Sequence, residues 1–177
     1  MNQRNRPVRR CTVYAEHGDR LSQVCEMPDP PPCAPEDRVR AVATPLGQIM
    51  SNDVVCATPD LDVEALVALM VRERLGCIPV VDRRRRPIGI VTKTDLVELV
   101  GVHVLTSSRA ISDEVRSRTV DDVMMPMAMT LRETATVADA AKQMTREQTH
   151  HVLVVYADGR LAGVVSSHDL VTWLVDA

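Results

Sequence analysis

The chain has 177 residues and a formal net charge of −3 at pH 7, so it gives no general attraction to nucleic acid or to an anionic membrane surface. Hydrophobic residues make up 45% of the chain but Phe is absent, which means that small aliphatic side chains must build the core. The apolar runs are far shorter than the roughly 20 residues of a membrane-spanning helix, so no membrane span is predicted.

The first 45 residues predict an extended or irregular arm, because prolines crowd a polar stretch between Pro28 and Pro35. Residues 1–8 are basic and polar and lack the apolar stretch of a secretory signal, so we expect a cytoplasmic protein. Packed or unstructured side chains are favoured over a zinc site in this arm, since the spacing of its possible ligands matches no Cys-x-x-Cys pair. Those residues are Cys11, His17, Cys25 and Cys33.

After the arm the sequence repeats itself: residues 46–102 align with residues 120–176 without a gap, and thirteen pairs are identical. One unit of about 55 residues has little core of its own, so two units are expected to bury their sheets against each other. The predicted fold class is therefore α/β (α+β), with two tandem βαββα repeats packed sheet to sheet. The boundaries are an arm over 1–45, repeat 1 over 46–103, a linker over 104–119 and repeat 2 over 120–177.

Repeat 1 opens with a strand candidate, Val54 to Thr58, followed by an amphipathic helix from Asp62 to Arg74 that Gly76 ends. A strand hairpin over residues 78–91 comes next, and a second helix begins near Thr92 or Lys93. The hairpin turn contains four arginines, Arg83 to Arg86, for which a solvated turn is favoured over contact with a partner or nucleic acid.

The linker carries a short helix candidate around Ile111 to Val115, and repeat 2 then follows the same order as repeat 1. Its first strand candidate is Ala128 to Arg132. Its hairpin has a strong turn signal, Asp158-Gly159, between two apolar strands.

The same short motif closes both hairpins, running from Gly89 to Asp95 and from Gly163 to Asp169. A strand passes directly into a helix here, so the hydroxyl residues Thr92 and Ser166 stand where an N-cap belongs and the first-turn amides are open to an anion. The aspartate three residues later can close a capping box or accept hydrogen bonds from a ribose diol. The spacing alone favours capping slightly and leaves both interpretations open.

This duplicated βαββα unit with its glycine-to-aspartate ending resembles a pair of CBS domains, named for cystathionine β-synthase, over residues 46–100 and 120–175. The resemblance implies a disc-like module with two clefts that bind AMP, ADP, ATP or S-adenosylmethionine. It also implies that no cofactor is required and that the chain is not an enzyme.

The resemblance assigns candidate ligand contacts in both repeats. Asp95 and Asp169 would hold the ribose hydroxyls, with Thr92 and Ser166 beside the ribose or phosphate. Lys93 or His168 would pair with phosphate, and Thr94 lies in the same motif. The start of each hairpin would flank the adenine through backbone groups and apolar contacts: Cys77, Ile78 and Pro79 in repeat 1, and His151, Val152 and Leu153 in repeat 2.

The two repeats predict unequal sites. Repeat 1 has the fuller pattern, with Pro79, Thr92 and Asp95, whereas repeat 2 gathers histidines near one cleft. No fixed ligand spacing supports a metal site among them, so polar edge residues or phosphate contacts are favoured. The histidine cluster consists of His150, His151 and His168, beside Asp169.

Two functions follow from these features. The first is a ligand sensor that reports nucleotide occupancy to an unidentified protein target, and the alternative is a nucleotide-free dimeric interaction scaffold. An enzyme is disfavoured because the sequence has no Gly-rich phosphate loop, nucleophile elbow or paired catalytic constellation. A homodimer is expected from the apolar ends of the two last helices, namely Val97, Leu99, Val100, Val171, Trp173 and Leu174.

Overall fold

The structure is a computed structural model that describes residues 10–14, 20–24, 39–40, 43–106, 117–126 and 128–176. The chain divides into two units, Met1–Ala34 and Pro35–Ala177. In the first unit, strand β1 (Arg10–Tyr14) pairs antiparallel with β2 (Arg20–Val24). Within the arm predicted as extended or irregular, the described residues thus form a short strand pair, which the β-branched and aromatic residues of β1 favour. The proline-rich stretch lies outside the described residues, as do His17, Cys25 and Cys33.

The second unit contains both predicted repeats, and each has a helix, an antiparallel hairpin and a second helix. Repeat 1 comprises α1 (Val63–Arg72), β3 (Cys77–Val81), β4 (Pro87–Thr92) and α2 (Lys93–Thr106). Repeat 2 comprises β5 (Met125–Pro126), β6 (Thr130–Arg132), α3 (Val137–Glu147), β7 (His151–Val155), β8 (Leu161–Ser166) and α4 (Ser167–Asp176). The two tandem repeats of the predicted fold class are confirmed. The helix candidate at 111–115 lies outside the described residues.

The first predicted strand forms a ladder in only one repeat, over Thr130–Arg132 of the predicted Ala128 to Arg132, and two prolines explain the difference between the repeats. In repeat 2, the amide of Leu153 donates to the Met129 carbonyl (3.0 Å) and the amide of Glu133 donates to the Val155 carbonyl (3.2 Å). The matching positions in repeat 1 are Pro79 and Pro59, which have no N–H to donate. The expected strand from Val54 to Thr58 is thus reduced to a single parallel bridge between Ala57 and Val80.

The end of helix α1 also differs from the prediction. Arg74, rather than Gly76, takes the left-handed conformation (φ 55°), and Gln148 does the same after α3 (φ 53°). In both repeats the next amide then donates back to a carbonyl of the last helical turn. Gly76 has another role, because a Cβ at that position would lie 3.1 Å from Nε2 of His151.

The segment preceding each repeat's first helix packs into the other repeat. Leu46, which is fully buried, belongs to the core cluster of repeat 2, and Val120, also fully buried, belongs to the cluster of repeat 1. Met125 of β5 pairs with Ile90 of β4, and Ser51 forms the matching bridge to Val164. The two repeats are therefore reciprocally interlocked.

Two glycines permit this close approach. A Cβ on Gly89 would lie 2.6 Å from Sδ of Met124 and 2.9 Å from the Met125 carbonyl oxygen. A Cβ on Gly163 would meet Met50 and Ser51 at 2.7 and 2.8 Å. The identical pairs Met50/Met124 and Gly89/Gly163 are therefore partners across the interlock.

A third core cluster joins the two hairpins, with Cys77, Val81 and Ile90 from repeat 1 against Leu153 and Leu161 from repeat 2.

At the far end of the hairpins, Asp82 Oδ1 accepts hydrogen bonds from the amides of Arg84 and Arg86 (2.8 Å each), and Arg83 to Arg86 are exposed. In the described part of the chain, no helix is both long and apolar enough to cross a membrane.

Candidate functional site

The strand-to-helix junctions lie where the sequence predicts them. Cys77 is opposite Thr92 in the β3–β4 register, and His151 is opposite Ser166 in the β7–β8 register. The beginning of each hairpin and the start of the following helix are therefore neighbours at one end of the sheet.

Each junction is closed by a capping box. Oδ2 of Asp95 accepts hydrogen bonds from the amide (2.7 Å) and hydroxyl (2.8 Å) of Thr92, and the corresponding distances from Ser166 to Asp169 are 2.6 and 2.7 Å. The capping interpretation is thus confirmed. Both bonds use Oδ2, so within the described residues Oδ1 of each aspartate accepts no hydrogen bond. One carboxylate can therefore cap its helix and still accept from a ligand.

Fewer first-turn amides are open to an anion than the sequence predicts. The amide of Lys93 donates to the Gly76 carbonyl (3.2 Å), and the amide of Ser167 donates to the His150 carbonyl (2.9 Å). The amides of Asp95 and Asp169 donate weakly to their cap hydroxyls. Within the described residues, Thr94 and His168 are left as the first-turn amides without a partner.

Two clefts open at these junctions. Cleft A, of about 570 Å³, combines the Thr92 junction of repeat 1 with the segments before β6 and β7 of repeat 2. Its lining residues are Gly76, Ile90, Thr92, Lys93, Thr94, Asp95, Glu98, Met125, Ala128, Met129, Glu147, Gln148, Thr149, His150 and His151.

Cleft B is the counterpart of cleft A under exchange of the repeats and has a volume of about 500 Å³. It combines the Ser166 junction of repeat 2 with the corresponding segments of repeat 1. Its lining residues are Ser51, Asp53, Val54, Val55, Arg74, Leu75, Gly76, Cys77, Pro79, Lys93, His150, His151, Val164, Ser166, Ser167, His168 and Asp169.

The structure groups the predicted residues differently from the sequence. Cys77 and Pro79 line cleft B with Ser166 and Asp169, not cleft A with Thr92. The expected site combining Pro79 with Thr92 and Asp95 is therefore not formed, because the interlock presents each hairpin's first strand to the other repeat's helix. The side chains of Ile78, Val152 and Leu153 are fully buried in the core, so they offer a ligand only backbone groups.

The sequence did not single out the residues that each cleft takes from the loops of the other repeat. Val55 and Arg74 line cleft B, and their counterparts Met129 and Gln148 line cleft A. The repeat alignment pairs these positions, but it cannot show that they face the opposite repeat's junction. Pro79 removes the donor that binds the Met129 carbonyl in repeat 2, so the Val55 carbonyl in cleft B has no ladder partner.

A shared wall separates the clefts, since Gly76, Lys93, His150 and His151 line both. Burial lowers the pKa of His151, with a further decrease from nearby His150 and a partial compensation by Asp169. Burial, assisted by Asp169, raises the pKa of Cys77 to about 12. That thiol stays protonated near neutral pH, which is unsuitable for a nucleophile. No group of three or more described residues has the arrangement of a metal site.

Comparison with known proteins places this geometry in a family. An uncharacterized 17.7 kDa protein from Acidianus ambivalens is 28% identical over 135 residues, which cover 76% of both chains. The crystal structure of CBSX2, a CBS-pair protein of Arabidopsis thaliana, in complex with AMP matches with a TM-score of 0.64 and 22% identity, covering 75% of this chain and 97% of that one.

The CBS domain pair of protein MJ0100, in complex with 5′-methylthioadenosine and S-adenosylmethionine, matches with a TM-score of 0.64 and 20% identity, covering 75% and 97% of the two chains. These structural likenesses show the fold. The family model for the CBS domain matches twice, at residues 46–101 and 120–176. With one match on each interlocked repeat, the chain belongs to the CBS domain family.

Proposed function

We propose that this chain is a non-enzymatic regulatory module that binds AMP, ADP, ATP or S-adenosylmethionine in clefts A and B and transmits occupancy to a partner protein. One observation carries the proposal: each cleft joins a capped strand–helix junction, with an available Oδ1, to a loop of the other repeat. The ligands present in the related CBS-pair structures support the adenosyl class.

The dimensions and lining of the clefts suit such a ligand. Their volumes, about 570 and 500 Å³, lie within the usual range for small-molecule sites. Apolar side chains such as Met125 in cleft A and Val164 in cleft B provide surface for a base. Oδ1 of Asp95 or Asp169 supplies an acceptor for a ribose hydroxyl.

Occupancy can be transmitted because each cleft takes residues from both repeats. A ligand that binds one relative placement of the repeats more tightly shifts the population toward it, by no more than its difference in affinity for the two placements. The proposal places the module in the cytoplasm, where Cys56 and Cys77, both free thiols, stay reduced.

A homodimer is part of the proposal. Val97 (69% exposed) lies on α2, and Val171 (57%) and Leu174 (49%) lie on α4, and apolar side chains of this size on a monomer surface favour association. Leu99 and Trp173 are half-buried rather than exposed, and the guanidinium of Arg40 lies 5.7 Å from the Trp173 ring centroid. The side chain of Val100 lies outside the described set.

Thermal unfolding with AMP, ADP, ATP and S-adenosylmethionine tests the ligand class. A ligand at 100 times its dissociation constant should add about 2.7 kcal/mol to the free energy of unfolding. If none of the four raises the melting temperature, the adenosyl assignment is wrong.

A matched set of substitutions separates capping from binding. Asp139 caps α3 through the same box, with Oδ2 accepting from the amide (3.0 Å) and hydroxyl (2.8 Å) of Thr136, but it lines neither cleft. Asp95→Ala, Asp169→Ala and Asp139→Ala should each lower helix stability by about 0.5–1.5 kcal/mol, the net value of a hydrogen bond such as those that close the capping box. Only Asp95→Ala and Asp169→Ala should also abolish ligand binding, measured by isothermal titration calorimetry.

The exposed apolar side chains of α2 and α4 favour a second candidate, a dimeric interaction scaffold whose clefts bind no nucleotide. Under this alternative the three aspartate substitutions would affect stability alone. Sedimentation analysis would still find a dimer, with the same dissociation constant in the presence and absence of every adenosyl compound.

A further inference from the structure

We propose that the two clefts divide the adenosyl ligands by charge: cleft B takes the phosphorylated nucleotide, and cleft A takes an adenosyl compound without phosphate that carries a positive group, such as the sulfonium of S-adenosylmethionine. This inference rests on the proposed function, because it distributes the ligand class proposed above between two sites. It assigns a specificity-determining role to residues that differ between the repeats.

The first difference is Arg74 in cleft B against Gln148 in cleft A. Both residues follow a helix in the left-handed conformation, with φ values of 55° and 53°, so their side chains start from equivalent backbone positions. Arg74 is exposed and makes no ion pair among the described residues. A guanidinium binds phosphate oxygens through two parallel N–H donors, whereas a neutral amide attracts no anion.

Two further exchanges support the same division of ligands. His168 of cleft B corresponds to Thr94 of cleft A, and its imidazole adds a ring N–H hydrogen-bond donor to cleft B. Glu98 lines cleft A, while its repeat counterpart, Thr172, is uncharged and does not line cleft B. The first exchange makes cleft B more favourable to an anion, and the second makes cleft A more favourable to a cation.

The complete set of charged residues supports the same division. Cleft A has the carboxylates of Asp95, Glu98 and Glu147 against Lys93, and Arg146 neutralises Glu147 in part through an ion pair of 2.6 Å. Cleft B has Asp53 and Asp169 against Lys93 and Arg74. Since Lys93 lines both clefts, it does not discriminate between them. Cleft A keeps an excess of carboxylate, which repels phosphate, whereas cleft B has equal numbers of carboxylates and cationic side chains.

Calorimetric titration of the full chain with AMP and with S-adenosylmethionine, separately and together, tests the division. We expect one molecule of each ligand per chain, with neither displacing the other. Asp169→Asn should remove the AMP signal alone, and Asp95→Asn should remove the S-adenosylmethionine signal alone. Mutual displacement at a common site would overturn the proposal.

The charge argument is tested by exchanging the counterpart residues. Arg74→Gln should weaken AMP binding about tenfold, the size expected for loss of one hydrogen-bonded charge, and leave S-adenosylmethionine within twofold. Glu98→Thr should weaken S-adenosylmethionine alone. The reverse change, Gln148→Arg, should weaken S-adenosylmethionine and let a second AMP bind; all three positions are exposed, so the fold is expected to persist.

Two failures are distinguishable. If neither ligand binds the unmodified protein, the proposed function is wrong and the division falls with it. If both ligands bind but Arg74→Gln and Glu98→Thr change both affinities equally or not at all, the proposed function stands and the division by charge is wrong.

Discussion

The two repeats have the same order of elements but differ in how their first strand is held. Repeat 2 carries β6 on a hydrogen-bonded parallel ladder, whereas Pro59 and Pro79 reduce the matching segment of repeat 1 to the Ala57–Val80 bridge. The interlock is nevertheless the same in both directions. The fold therefore depends more on reciprocal packing than on completing both ladders.

Some residues that are identical in the two repeats support the scaffold, and some that differ line the clefts. The identical pairs Met50/Met124 and Gly89/Gly163 meet across the interlock, and Asp95/Asp169 cap the equivalent helices. The clefts, in contrast, contain the exchanges of Arg74 for Gln148 and Cys77 for His151. The identical pairs at these positions thus maintain the scaffold, and the exchanges at Arg74 and Cys77 make the two clefts chemically different.

Weakening the packing of one repeat's leading segment into the other repeat should give the largest loss of stability. Leu46 is fully buried in the core of repeat 2, so Leu46→Ala should lower the free energy of unfolding by about 2–5 kcal/mol. Val120→Ala, the reciprocal change in the core of repeat 1, removes fewer carbons and should cost about 2 kcal/mol. Urea denaturation measures both. A negligible effect of either change would show that the two reciprocal contacts do not both stabilise the fold.

The close approach at the glycines gives the next largest effect. Gly89→Ala would place a Cβ 2.9 Å from the backbone oxygen of Met125, and a backbone atom cannot rotate away as a side chain can. We expect a loss of about 1–3 kcal/mol, and a similar loss for Gly163→Ala. Gly47→Ala is the control, since its Cβ would lie at an ordinary 3.5 Å from the Glu133 oxygen; equal losses at all three positions would contradict a specific clash.

These elements also show what could be predicted from the sequence. The hairpins, the helix starts and the caps follow from local patterns, because Asp158-Gly159 or Thr92 with Asp95 act within a few residues. The loss of the repeat 1 strand could have been inferred from Pro59 and Pro79. The grouping of Cys77 and Pro79 with Ser166 could not be predicted. It depends on which repeat each leading segment packs into, and that is set by tertiary contacts such as the one between Met50 and Gly163.

His151 and its counterpart Cys77 should differ in their response to pH. Because burial holds the pKa of His151 below its ordinary value of 6.5, the unfolded chain takes up a proton at higher pH than the folded chain does. The associated stability is therefore complete above pH 6.5 and is lost as the pH falls below it. Denaturation midpoints between pH 7 and 5 should show this decline in the unmodified protein.

Changing His151 to the residue that repeat 1 uses isolates its contribution. His151→Cys should flatten the decline, and His150→Asn should reduce it in part, since His150 is the second cause of the lowered pKa. An unchanged slope in His151→Cys would assign the pH response to other groups.

The smallest expected change in stability lies at Arg74 and Gln148, which share the same left-handed backbone conformation. Side chains at φ values near 55° are strained by about 1 kcal/mol or more, and glycine removes that strain at a smaller entropic cost in the unfolded chain. Gln148→Gly and Arg74→Gly should each raise the free energy of unfolding by about 0.5 kcal/mol, measured without ligand. Equal gains would show that Arg74 has no structural advantage over Gln148 at this backbone conformation.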